Sequence, residues 1–350
     1  MDPMSAESIA AFERDFERLF AIVHERVEIQ WRFHRRADLE QLGPDLTGLL
    51  REFGALLRVV YRYDLTDALA SEAAWYASAL ASRGPGEDAL ALLLDSWIVA
   101  IEGTIKPPEC NALAAPLQTL RADLPHVFSA AERRRGAAPA AEIGTVVESL
   151  IAGDFAEAWD ALRGRMSGGT PPHELIVELL LPAMAEVGRR WELNELAIFQ
   201  EHLATETVQR LIGGLSGCGA AVEPLHRTAL VACVPQEEHQ TLPAALSAYL
   251  ALRGWKVRSL GRSMPAEQVV RAAEALKPDA VFLSLSMLSR LHETLELVAR
   301  LAAPMANGPL LVGGRGAAPA RRLLEAAGAQ VTQDFDEAHR WAQGGAASHA

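Results

Sequence analysis

The sequence predicts a helical N-terminal part, a four-helix bundle, and then a doubly wound parallel α/β sheet. Three observations carry this fold class. Up to about residue 222, apolar residues recur at three- and four-residue steps, the period of amphipathic helices. From Thr228 onward, short apolar or β-branched runs alternate with helical patterns. Between the two helical stretches lies ERRRGAAPAAE (132–142), charged and then rich in Gly, Ala and Pro, which reads as a linker. The expected boundaries are 1–138, 139–222 and 223–350.

In the first segment, Phe12, Phe16, Leu19, Phe20, Val23, Val27 and Trp31 mark one long amphipathic helix. Pro44 stands near the start of a second helix, and Gly84-Pro85-Gly86 separates two more. Pro107-Pro108 starts another, because proline suits a first helical turn. The sum is five or six helices without a strand signal. In the second segment, AEIGTVVESLIAGDFAEAWDALRGRM divides at Gly153-Asp154, where Asp154 can cap the next helix. SGGTPPHE is a break followed by a helix start, and LIVELLLPAMAEVGRRW carries apolar residues over several turns. Four helices with short loops in this space form a small bundle.

The third segment contains TALVACV (228–234), KVRSL (256–260), AVFLSLS (280–286) and PLLVGG (309–314), with helical patterns such as LPAALSAYLALRG and AEQVVRAAEALK between them. That alternation makes βαβ units and a parallel sheet of flavodoxin-like or Rossmann-like type, covered on both faces. Ligands bind such sheets outside the carboxyl ends of the strands, so the loops after each strand are the places to look.

Composition narrows the function. The net charge of −12 argues against a general nucleic-acid binder. The basic runs, Arg32 with Arg35 and Arg36 and then Arg133 to Arg135, are short enough to be solvated helix faces. Cys110, Cys218 and Cys233 are far apart and form no C-x-x-C, which argues against a disulfide framework or a structural zinc site. The acidic, amphipathic start does not read as a signal peptide, and no apolar run approaches a membrane span. A soluble cytoplasmic protein is expected.

Two groups of residues stand out as candidate site residues. PQEEHQTLP, after the first strand run, puts His239 in a loop at the ligand-binding edge with Glu237 two residues earlier. A carboxylate there can hold the imidazole tautomer, an arrangement common behind a metal-bound histidine. A loop His near a Glu is also often just solvated. Ser284 and Ser286 follow the third run and Gly313-Gly314 the fourth, and small residues at strand ends leave room for a ligand to approach backbone. Tight strand-to-helix turns favour the same residues. The second group is WELNELAIFQEH, with nine residues between Trp191 and the Glu201-His202 pair.

The spacing of the first group resembles the cobalamin-binding family, whose signature is Asp-x-His-x-x-Gly, then Ser-x-Leu, then Gly-Gly. Here Glu237-x-His239-x-x-Leu242 is followed after 41 residues by Ser284-Leu285-Ser286, and after 26 more by Gly313-Gly314. The resemblance implies that His239 is the lower cobalt ligand, with Glu237 orienting it. It further implies that Ser284, Ser286, Gly313 and Gly314 line the slot for the released nucleotide tail. Three positions depart from the signature: Glu237 replaces Asp, Leu242 replaces Gly, and Ser286 replaces Leu. Leu242 puts the width of the tail channel in doubt.

The second group is similar to the helical cap of the CarH-type light sensors and related MerR-family regulators. There the Trp, Glu and His cover the upper face of adenosylcobalamin. By that resemblance Trp191 excludes water beside the upper ligand and Glu201 accepts hydrogen bonds from sugar hydroxyls. Trp191 should end one helix, with Glu201 and His202 about two turns into the next. Relatives carry a His directly after the Trp that can ligate cobalt once light has removed the adenosyl group; this chain has Glu192.

The resemblance implies a cobalamin-dependent light sensor without enzymatic turnover. Photolysis of the cobalt–carbon bond would be read out as a conformational or oligomeric change, in a homo-oligomer such as a dimer. No kinase, cyclase or DNA-binding motif follows the sheet, so a separate protein partner would receive the signal and direct operator binding is not expected. A corrinoid-carrying protein of a methyltransferase system and a light-insensitive cobalamin sensor are the alternatives. The first domain is compatible with a globin-like fold and loosely resembles the helical domain of photocobilins, which add biliverdin. For such a linear tetrapyrrole, Arg32, Arg35 and Arg36 could pair with propionates, and Trp31, His34, Trp75, Tyr76 and Trp97 could line a pocket. Cys110 could attach it, or be a small core thiol. Dimerisation or partner docking is the competing use of that domain, and aromatic residues at helical spacing are often plain core.

Overall fold

The computed structural model describes residues 4–33, 46–82, 86–134, 140–193, 195–218 and 222–344. The chain packs as two units. One comprises Met1–Ala138 with Arg190–Leu196, and the other Pro139–Arg189 with Ala197–Ala350.

The first unit is built from α1 (Ala6–Phe33), α2 (Leu46–Arg62), α3 (Thr66–Ser82), α4 (Gly86–Thr104), α5 (Glu109–Ala122) and α6 (Leu124–Arg134). The apolar stripe of α1 becomes its buried face: Phe12, Phe16, Leu19, Phe20, Val23 and Val27 are all buried. Phe12 and Phe16 meet Trp97 of α4, and Phe12 also meets Tyr61 of α2. Phe12 packs edge-on against Tyr61 at 4.9 Å between ring centres, and the Tyr61 hydroxyl donates to the Leu113 carbonyl at 2.8 Å. That one bond satisfies the polar end of an otherwise apolar ring, and burial pushes its pKa far up. Pro44, Gly84 and Pro85 lie outside the described residues.

The second unit begins with a bundle of α7 (Ala141–Ala152), α8 (Phe155–Ser167), α9 (Pro172–Leu175), α10 (Leu181–Glu192, whose residues from Arg190 onward belong to the first unit) and α11 (Ile198–Gly217). Asp154 caps α8 by accepting from the Glu157 N–H at 3.0 Å. A π-helical turn, Ile176–Leu180, joins α9 to α10 as one rod. Pro182 accounts for it: a proline ring in a regular α-helix clashes with the carbonyl four residues back, and a wider turn relieves that clash.

The sheet follows, with β1 (Thr228–Cys233), α12 (Thr241–Leu252), β2 (Lys256–Ser259), α13 (Ala266–Leu276), β3 (Ala280–Ser284), α14 (Leu291–Leu301), β4 (Leu310–Gly313), α15 (Arg321–Ala326), β5 (Gln330–Val331) and α16 (Phe335–Ala342). All pairings are parallel, in the order β2-β1-β3-β4-β5. This is a Rossmann-like doubly wound sheet whose order reverses between β1 and β3. The crevice at that reversal is where such sheets bind ligands. Residues of β1 and β3 are buried almost throughout, as befits central strands covered on both faces. The sequence predicts four of the five strands. The fifth, Gln330–Val331, is too short and too polar to announce itself. Among the described residues no helix is long and apolar enough to cross a membrane.

Candidate functional site

The loop after β1 turns sharply. Gln236 sits at φ +62°, in the left-handed region, and the turn drives Glu237 inward until it is 1% exposed. A buried carboxylate needs partners, and Glu237 has four. Its Oε2 accepts the backbone N–H groups of Ser286 and Met287, each at 2.9 Å. Its Oε1 accepts the His239 backbone N–H at 3.1 Å and also meets the His239 Nδ1. Burial opposes its charge, but the His239 contacts and the Met287 and His239 amides outweigh burial. The carboxyl is held below the usual carboxylate range. One ionised carboxylate therefore ties the loop after β1 to the loop after β3.

That arrangement fixes His239. With Nδ1 engaged by Glu237, the ring is held in one orientation while its side chain stays 62% exposed. Beneath it, the buried Cys233 thiol donates to the His239 carbonyl at 3.7 Å, and burial pushes that thiol up to about 12. Among the described residues no group of three or more His, Cys, Asp or Glu is placed to hold a bare ion. What the loop presents is one nitrogen, which suits a metal that brings its other ligands with it.

His239 lines a cleft of about 460 Å³ together with Leu242 and Arg262 from the sheet side, and Met184, Glu201 and His202 from the bundle. Glu201 and His202 lie within the first four to five residues of α11, which starts at Ile198. The expected two turns of depth is corrected to one, because α11 starts only at Ile198. Thr205 donates to Glu201 at 2.8 Å, and the His202 Nδ1 lies 3.0 Å from both the Ile198 carbonyl and the second Glu201 oxygen. Because a carbonyl only accepts, His202 carries its proton on Nδ1. Arg262 pairs with Glu238 at 3.4 Å on the rim of the cleft. Met184, Thr205 and Arg262 were not legible beforehand; a Met, a Thr and an Arg on helices or turns carry no spacing signal.

Leu242 also faces a second space, a slot of about 40 Å³ between the sheet, α12 and α16. Val231, Phe282, Ser284, Val312, Gly313 and Gly314 contribute to its walls. Ser284 Oγ is buried there with no hydrogen-bond partner among the described residues. An orphaned hydroxyl in an apolar slot asks for a polar ligand atom. Gly314 has φ +103°, and a Cβ on it would stand 2.4 Å from the Leu285 carbonyl oxygen; one on Gly313 would stand 2.9 Å from that of Thr332. Both positions exclude any side chain. Ser286, in contrast, contributes its backbone N–H to Glu237.

Trp191 and Glu192 pack with the first unit, where the Trp75 indole N–H donates to Glu192 at 2.6 Å. Tyr76 and Trp97 are buried, packed against Phe53 and against Phe12 with Phe16 respectively. The Trp97 indole N–H has no acceptor among the described residues. Cys110 is buried on α5. The side chains of Trp31, Arg32, Arg133 and Arg134, and residues His34, Arg35, Arg36 and Arg135, lie outside the described residues.

Residues 227–338 match a family model described as B12 binding domain, and residues 143–215 match a second model with the same description. The HTH-type transcriptional repressor CarH of Myxococcus xanthus is 38% identical over 177 residues, 49% of this chain and 57% of the relative. The HTH-type transcriptional repressor CarA of the same organism is 32% identical over 162 residues, 45% of this chain and 53% of the relative. The chain thus spans little more than half the length of the curated relatives it matches. Among solved structures, the monomethylamine corrinoid protein of Methanosarcina barkeri is 18% identical with a TM-score of 0.49, over 56% of this chain and 94% of that one.

Proposed function

We propose, from the premise that residues 143–338 form a cobalamin-binding module of the CarH type, that this protein is a light sensor that uses adenosylcobalamin. The observation that carries the reading is one cleft with His239 on its sheet wall and Glu201 and His202 on its bundle wall, above a slot that holds an orphaned Ser284 hydroxyl. The bound cofactor supplies a cobalt–carbon bond that light can break. The chain's residues do the rest. His239 offers Nε2 to the cobalt, and Glu237 keeps the ring's proton on Nδ1. Ser284 supplies a hydrogen bond to the nucleotide tail, and Gly313 and Gly314 give that tail room against backbone. Glu201 accepts from sugar hydroxyls of the upper group, backed by Thr205. Glu201 and His202 would hold the upper group from α11, so a shift of α11 against the sheet would be the signal that the oligomeric state or a separate protein partner reads.

The test is to load the protein with adenosylcobalamin in the dark, record the visible spectrum, and illuminate. A rapid, irreversible spectral change supports the sensor. A light-insensitive spectrum with a methylcobalamin-dependent transfer activity would replace it with a corrinoid carrier. A far-red band foreign to any cobalamin would add a linear tetrapyrrole such as biliverdin in the helical unit, where the Trp97 indole N–H has no acceptor among the described residues.

A further inference from the structure

The nucleotide slot is narrow. About 40 Å³ has room for a few water molecules, not for an aromatic base. Two loops flank it, the Gly313-Gly314 turn after β4 and residues 332–334 before α16. The second loop is fastened to its own helix and, through the Thr332 N–H to the Val312 carbonyl at 3.3 Å, to the end of β4. Asp334 accepts from the Glu337 N–H at 2.8 Å, Thr332 Oγ1 contacts Glu337, and the Asp334 N–H donates to Thr332 Oγ1 at 3.0 Å. Gln333 reaches the other way. Its Nε2 donates to the Gly314 carbonyl at 2.7 Å, joining two residues that line the slot.

The Gln333 end of that bond suits a removable fastening. Gly314, held at φ +103°, has no side chain to interfere. Gln333 is itself exposed, so water can take over its Nε2 donor when the bond breaks, whereas the Gly314 carbonyl belongs to a buried residue. Leu242, where relatives carry Gly, narrows the slot from α12, so the loop of 332–334 is the wall left to yield.

We propose that Gln333 is the latch of the nucleotide slot, so that release of its bond to Gly314, rather than docking of the corrin ring, limits how fast a tailed corrinoid is seated. This rests on the cobalamin reading above. A neutral hydrogen bond of this kind is worth a rate factor of roughly two to ten.

The experiment is stopped-flow absorbance with the full chain and two probes: cobalamin, and cobinamide, which has the same corrin ring without the nucleotide tail. Gln333→Ala should speed cobalamin association several-fold and leave cobinamide at the wild-type rate. Gln333→Glu keeps the side chain's bulk but cannot donate to a carbonyl, so it should behave as Gln333→Ala does; melting curves of both variants check that they fold. Unchanged cobalamin rates in both variants would overturn the latch, as would equal acceleration with both corrinoids. If the wild-type chain binds neither corrinoid, the cobalamin reading itself fails, and the latch with it.

Discussion

Removing the Glu237 carboxylate should unfasten the loop after β3 from the loop after β1. In Glu237→Ala, the Ser286 and Met287 N–H groups lose the oxygen they both reach at 2.9 Å, and the His239 N–H loses its acceptor at 3.1 Å. His239 is open to water, so its amide is easily resolvated. The other two are half-buried, and an unmet donor in such a place costs about 1–2 kcal/mol, together about 2–4 kcal/mol. Hydrogen exchange of a peptide spanning Ser284–Leu288 reads this directly, because local opening free energy sets protection. Protection should fall by roughly 30- to 1,000-fold in Glu237→Ala. Glu237→Gln, which retains one acceptor oxygen, should lie between that variant and wild type. Wild-type protection in Glu237→Ala would refute the claim that one carboxylate joins the two loops.

Three further outcomes follow from other parts of the molecule. Burial holds the His339 pKa down to about 4 from 6.5, and the Trp255 indole N–H donates to its Nδ1 at 3.0 Å. The unfolded chain therefore takes up this proton first. The contribution is intact above pH 6.5 and is lost as pH falls toward 4, on the order of 3 kcal/mol in all; urea midpoints of His339→Gln should vary less across that window than those of wild type. Gly314→Ala should destabilise the sheet unit by about 2 kcal/mol or more, since it puts a Cβ 2.4 Å from a carbonyl oxygen at φ +103°; a melting temperature equal to wild type would contradict it. Trp75→Phe removes the donor to Glu192 and should cost about 1–3 kcal/mol in the first unit, with Glu192→Gln milder, as read by thermal unfolding.

Much of the fold was legible because it rests on periodicity. The stripe from Phe12 to Val27 is the buried face of α1, and the shift of period at Thr228 is the start of the sheet. Gln330–Val331 escaped because two residues have no period; they become a strand only because the edge of β4 offers them partners. Positions His239, Ser284, Gly313 and Gly314 were legible because they stand at or just after strand ends of the sheet. Roles that depend on tertiary contacts were not. Nothing in the sequence says that Ser286 serves through its backbone, that Thr205 steadies Glu201, or that Gln333 crosses to Gly314. Glu192 stood out as a departure from relatives, but its partner, Trp75, lies 117 residues away. The depth of Glu201 in α11 was misjudged because loop length after a helix is weakly encoded.

The central claim is tested most directly by the solution mass of the loaded protein before and after illumination. With adenosylcobalamin, light-scattering mass or the scattering profile should change on exposure to green light. The same protein loaded with cyanocobalamin should not change. Identical mass and profile in dark and light with adenosylcobalamin, despite a completed spectral change, would contradict the account, because the chemistry would then occur without moving the chain that is meant to report it.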